Sequence, residues 1–114
     1  MSPPFENDIG FSIKGAKLSS YLLNMNHPIG ASKARFFLGH GFRPDKPEEL
    51  AFALLNHSLH AQRRVPTPHG LRLICEGPIA TPIGTAPLVK SVWQHKRETG
   101  FAELITAYPI SVRP

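Results

Sequence analysis

The chain has 114 residues, with 13 Lys or Arg against 8 Asp or Glu and six His, a formal charge of +5 with the histidines neutral. One domain is the expected count at this length, and the basic excess suits an acidic partner, nucleic acid first. The single Cys75 excludes an internal disulfide framework and a Cys-based zinc knuckle. No apolar run approaches the ~18 residues of a membrane-spanning helix, and MSPPFENDIG lacks the basic-then-apolar pattern of a signal peptide.

The 12 prolines are about twice the usual share of ~5% and have no period, so they read as punctuation. Residues 1–8, with Pro3 and Pro4, are expected to form a flexible arm. Ile9–Ile13 alternates apolar and polar residues, as a short strand or extended lead-in does. Leu18, Tyr21 and Leu22 give helical spacing across Ala16–Asn24, and Asn24–Pro28 breaks it. Pro28 and Gly30 make a turn into a second helix, Ala31–Leu38, which Gly39 and Gly41 stop. Asp45-Lys46-Pro47-Glu48 reads as the cap of a third helix. Its apolar stripe is Leu50, Ala51, Leu54, Leu55 and Leu59, and it fades near His60–Arg63.

Beyond Arg64 the texture changes to short apolar runs between Pro and Gly. Arg63–Thr67, Leu71–Gly77, Leu88–Gln94 and Phe101–Pro109 are the expected strands, with turns at Thr67–Gly70, Thr81–Gly84 and His95–Gly100. Short turns between successive strands imply an antiparallel meander. The fold class is therefore α+β, about three N-terminal helices on a four-stranded antiparallel sheet in one domain over 1–114. Alternation puts Ser91, Trp93 and His95 on one strand face, and Leu104, Thr106 and Tyr108 together on the next strand. The simplest register turns Val92, Ile105 and Phe101 to the helices. It leaves Ser91, Trp93, Thr106 and Tyr108 as an outer surface suited to unpaired bases and phosphate. A slip of one residue would exchange the two faces.

The chemistry on offer needs no metal. His57 and His60 lie three apart on the third helix, with no carboxylate or Cys to complete a site, and read as polar-face residues. Asp and Glu are too few and scattered for a two-metal nuclease, there is no phosphate-binding glycine loop, and Cys75 reads as a buried small hydrophobe. RNA cleavage by its own 2′-OH requires a proton acceptor, cationic or hydroxyl donors for the phosphorane and a proton for the leaving 5′ oxygen. His27, Lys33 and Arg35, separated by one short turn, form a cationic set for this, with His40 a possible neighbour or simply a loop residue. The competing reading is a turn shaped by Pro28 and Gly30 with a solvated Lys33.

YLLNMNHPIGASKARFF, then Gly41-Phe42 with Asp45, Glu49 and Leu50, then Thr67-Pro68 with Gly70, follow one another in an order that carries a resemblance. EGP with Thr81-Pro82 and Gly84, VKSVW and LITAYP complete it. The chain resembles a bacterial domain family with the pattern YLLNxxHPxGxxKAxxF…VxSVW…TAYP. That family is similar to the toxin domains of bacterial conflict systems and, at fold level, to the barnase–EndoU–colicin–RelE group of metal-independent ribonucleases. The resemblance places the family's polar positions on His27, Lys33, Ser91, Trp93, Thr106 and Tyr108.

These readings converge on a metal-independent endoribonuclease toxin domain, with no cofactor and no metal. The catalytic candidates are His27, Lys33, Thr106, Ser91 and Tyr108, and the RNA contacts are Arg35, Trp93, His40 and His95. The expected partners are RNA, tRNA included, and an acidic immunity or antitoxin protein; no membrane is involved. The expected site of action is the cytoplasm, whether the domain is free-standing or carried at the C-terminus of a secreted protein. The alternatives are a non-catalytic nucleic-acid-binding module and an antitoxin-like or protein-interaction domain.

Overall fold

The computed structural model describes residues 10–59 and 62–110, and the arm expected over 1–8 lies outside them. The chain begins with a short strand, β1 (Gly10–Ser12), and one α-helical turn, α1 (Gly15–Lys17), which continues as a π-helical segment, Leu18–Leu22. The wide turn is closed by the Leu23 N–H donating to the Leu18 carbonyl at 2.8 Å. It buries Leu18, Leu22 and Leu23 and leaves Tyr21 half-buried at the rim.

Helix α2 spans Ala31–Gly39. Its C-terminus is a Schellman motif: the Gly41 N–H donates to Leu38 and the Phe42 N–H to Phe37. Gly41 supplies the positive φ, 95°, that this requires, and Phe42 then packs on Phe37 with ring centroids 5.9 Å apart. Helix α3 spans Pro47–His57, with Glu48 and Glu49 in its first turn, where they favour the helix dipole. Asp45 does not cap it. Its carboxylate takes two bonds from Arg43 instead, at 2.9 and 2.8 Å, and the residue at the cap position is Lys46. Leu50, Ala53, Leu54 and His57 make the buried stripe, while Leu55 and Leu59 are exposed rather than in the core.

Four antiparallel strands follow: β2 (Gln62–Thr67), β3 (Gly70–Pro78), β4 (Leu88–His95) and β5 (Phe101–Pro109). The expected meander is present, but the sheet has five strands and is mixed. Its order is β1-β5-β4-β3-β2, because β1 adds to the far edge parallel to β5, with Phe11 opposite Ala102.

The face turned to the helices also differs from expectation. Leu73, Cys75, Val89, Ser91, Trp93, Ala102, Leu104 and Ala107 are the buried row, so Ser91 and Trp93 point inward. Trp93 is too large an apolar group to leave out of a core this small. It is fully buried and meets Phe11 edge-on at 5.0 Å. On β5 the alternation is interrupted. Val92 pairs with Thr106 and Trp93 with Leu104, so Ile105 is the extra residue of a β-bulge. The bulge puts Leu104 and Ala107 on the same inner face and separates Thr106 and Tyr108 from Leu104.

Candidate functional site

The segment from Tyr21 to Lys33 closes on itself. Asn24 makes an Asx turn, its Oδ1 accepting the Asn26 N–H at 2.9 Å, and this reverses the chain so that the His27 ring meets Tyr21 edge-on, 5.0 Å between centroids. His27 Nδ1 accepts the backbone N–H groups of Ile29 (3.0 Å) and Gly30 (2.9 Å). Two donors on Nδ1 place the proton of the neutral ring on Nε2. Gly30 is buried against Tyr21, and a Cβ there would lie 2.5 Å from the Tyr21 carbonyl oxygen. That close approach, not an unusual φ, is why the turn carries Gly. One turn into α2, Lys33 Nζ stands 5.6 Å from the Tyr21 ring centroid, and Lys17 Nζ stands 5.1 Å from it.

Tyr21 links this turn to the sheet, its hydroxyl lying 3.1 Å from Thr106 Oγ1 on the bulged part of β5. The result is an open pocket of about 500 Å³ lined by Lys14, Ala16, Lys17, Ser20, Tyr21 and His27. The cations around it are not equivalent. Lys14 leans on Glu103 at 3.7 Å, and Lys96 reaches the same oxygen at 3.0 Å. These ammonium groups, Lys96 before Lys14, hold the Glu103 carboxyl below the usual carboxylate range. Lys17 and Lys33 make no ion pair among the described residues. The pocket lining therefore offers a bound anion the Lys17 ammonium and the hydroxyls of Ser20 and Tyr21, with the proton on the unshared nitrogen of His27 as a further donor, and Lys33 stands beside it against the Tyr21 ring.

Of the residues the sequence singled out, His27, Lys33 and Thr106 come together here, through Tyr21. Arg35 is exposed further along α2. His40 is at the opposite end of that helix, its Nδ1 2.8 Å from Thr85 Oγ1 and its ring on Phe36. His95 ends β4 and lines a separate hollow with Thr67, Leu71 and Arg97. Tyr108 pairs with Lys90 across the strands, and the Lys90 ammonium sits 5.9 Å from its ring centroid.

Ser91 and Trp93 are not at the surface. The indole N–H of Trp93 donates to Ser91 Oγ at 2.9 Å, and Ser91 Oγ lies 2.8 Å from His57 Nδ1. His57 Nε2 donates to the carbonyls of Val89 (2.9 Å) and Gly77 (3.0 Å). His57 is thus a buried strut between α3 and the sheet rather than a polar-face residue; its neighbour in sequence, His60, lies outside the described residues. Among the described residues, no three His, Cys, Asp or Glu side chains converge as metal ligands.

The sequence gives Tyr21 no role beyond helical spacing and its place in the YLLN run, and it gives Lys17 none beyond the spread basic charge. The signal for Tyr21 is its place at the head of the YLLN…HPxG…K run, of which His27, Gly30 and Lys33 lie against it.

Helices packed on one face of an antiparallel sheet with a parallel edge strand define the fold class, and a solved structure shares it. A chain of the contact-dependent growth inhibition toxin–immunity protein complex from Klebsiella pneumoniae 342 superposes with a TM-score of 0.64 at 17% identity, over 86% of this chain and 98% of that one. At that identity the likeness concerns the fold. No curated protein matches the chain. The chain belongs to the family described as "Domain of unknown function (DUF6883)", which matches residues 7–111.

Proposed function

We propose that the chain is the toxin domain of a bacterial conflict system and cleaves RNA without a metal at the Tyr21 pocket. The observation that carries this reading is the convergence of Tyr21, His27, Lys33 and Thr106, two segments 85 residues apart in sequence joined by one hydroxyl–hydroxyl bond. The fold's likeness to a chain of a toxin–immunity complex supports the toxin setting. The +5 charge favours the toxin role, because a domain that holds RNA gains from a positive field.

In this reading a phosphate of the RNA sits between Lys17 and Lys33 and takes a hydrogen bond from His27 Nε2. His27 serves as a donor rather than as the base, because Nδ1 is already occupied by two amides. The 2′ oxygen attacks phosphorus and the bond to the 5′ oxygen breaks. The 2′ proton passes through the Tyr21–Thr106 hydroxyl pair to the departing 5′ oxygen, so the pair ends as it began. Ser91 and Trp93 support the sheet beneath and take no part, and Tyr108 and Arg35 lie outside the reacting cluster. The domain would act in the cytoplasm of a target cell, and its immunity partner would present carboxylates to the pocket.

The test is incubation of the purified chain with total cellular RNA, tRNA included, in excess EDTA. Discrete fragments ending in a 2′,3′-cyclic phosphate are expected, and Lys33→Ala should remove them. Intact RNA with a folded protein would overturn the reading. Retarded but uncleaved RNA would assign the pocket to binding alone.

A further inference from the structure

The +5 chain carries one surface of opposite character. A groove of about 550 Å³ runs between α3 and the loop that joins β3 to β4. Phe42 and Ala53 line it, Phe52 forms one wall, Ala80, Thr81 and Pro82 form the other, and Glu48 and Glu49 close one end. Phe52 is 69% exposed, and Ile83, beside Pro82, is 60% exposed. Leu55, one turn along α3 from Phe52, and Leu59, two residues past the end of the helix, are exposed as well. Large apolar side chains gathered along one helix edge are not the ordinary scatter of a surface. They are also not needed by the core, which α3 serves with Leu50, Ala53, Leu54 and His57.

Glu48 and Glu49 make no ion pair among the described residues, although the chain has 13 Lys and Arg. The groove shares no lining residue with the Tyr21 pocket. It lies beyond the C-terminal end of α2, whereas His27 precedes the N-terminal end, and a nine-residue helix is roughly 13 Å long.

We propose that this groove docks an amphipathic helix of a partner protein, its apolar face on Phe52 and its flanking Lys or Arg on Glu48 and Glu49. The pairing is helix-in-groove, with anchors spaced three and four residues apart. The local charge selects the ligand. The chain as a whole repels a cationic peptide, so preference for one must arise from these two carboxylates. A partner bound here leaves the Tyr21 pocket open, which distinguishes it from an acidic protein blocking the cationic site. The inference stands whether or not the chain cleaves RNA.

Two synthetic helical peptides test it, one of Leu and Lys in amphipathic order and one with every Lys replaced by Glu. Binding of the Leu/Lys peptide to the whole chain, followed by fluorescence anisotropy and by amide NMR shifts, is expected to perturb Phe52, Asn56 and Ala80. It should be at least tenfold tighter than binding of the Leu/Glu peptide. Phe52→Ser, at an exposed site, and the pair Glu48→Gln with Glu49→Gln should each weaken it tenfold or more. Absent binding, equal binding of the two peptides, or shifts mapping elsewhere would overturn the proposal. So would a concentration-dependent dimer of the chain that Phe52→Ser abolishes, since the occupant would then be a second copy.

Discussion

Two histidine clusters, built from similar parts, differ in what surrounds them. At the Tyr21 turn, His27 shares its ring with two backbone amides, and its neighbours are ammonium and hydroxyl groups at an open pocket. At the α3–sheet junction, His57, Ser91 and Trp93 satisfy one another in full burial. Inside the core every polar atom must find a partner, since an orphan costs about 1–3 kcal/mol. A closed chain of donors and acceptors therefore holds elements together but has no valence left for a ligand. The open cluster keeps donors unspent. Both carry conspicuous polar residues, so residue type alone does not separate a strut from an open cluster.

Breaking the buried cluster should produce the largest loss of stability. Trp93→Ala is expected to cost about 3–5 kcal/mol through the cavity it leaves, and Ser91→Ala roughly 1–3 kcal/mol by leaving the buried indole N–H without its acceptor and removing the Oγ contact to His57. Denaturant titration measures both, and RNA cleavage per folded molecule should stay at the wild-type level.

Breaking the open cluster should do the reverse. His27→Ala should reduce cleavage about a hundredfold or more, as loss of an oriented donor does. It should lower stability by about 1–3 kcal/mol for the two amide bonds released, less than the loss from Trp93→Ala. Gly30→Ala sharpens the contrast, because it removes no side chain of the reacting cluster and acts only by displacing Tyr21. The added methyl must push Tyr21 off its place, and a misplacement on the order of 1 Å costs about a hundredfold in rate. Activity restored by pairing Gly30→Ala with a smaller residue at Tyr21 would contradict the assigned role of that hydroxyl.

The smallest effect is expected at Cys75. Burial pushes its thiol up from the ordinary range, so at neutral pH it is held as an inert thiol. Alkylation should be slow in the folded protein and fast in denaturant; rapid labelling without unfolding would show that the junction around His57 opens.

Much of this fold was legible in the residues. The strands from β2 to β5 begin and end within a residue or two of their Pro and Gly boundaries, and α2 stops at the glycines that the Schellman motif uses. What was hidden lay in long-range pairing. The alternation over Ile9–Ile13 marked a short strand or extended lead-in, and β1 forms there, but its partner is a strand about ninety positions away. The bulge at Ile105 inserts one residue into the alternation, so faces counted from Phe101 are reversed by Ala107. Ser91 looked like a surface hydroxyl because its buried partner, His57, comes from a distant helix. At the site, His27 and Lys33 stood out by type, but Tyr21, which joins them to Thr106, was masked by its helical spacing.

The decisive measurement is cleavage rate in EDTA against melting temperature for Tyr21→Phe and Ser91→Ala. Tyr21→Phe is expected to melt close to wild type and lose at least tenfold in rate, while Ser91→Ala is expected to melt several degrees lower and to cleave normally when folded. Full activity in Tyr21→Phe, or activity lost in folded Ser91→Ala, would place the chemistry somewhere other than the Tyr21 pocket.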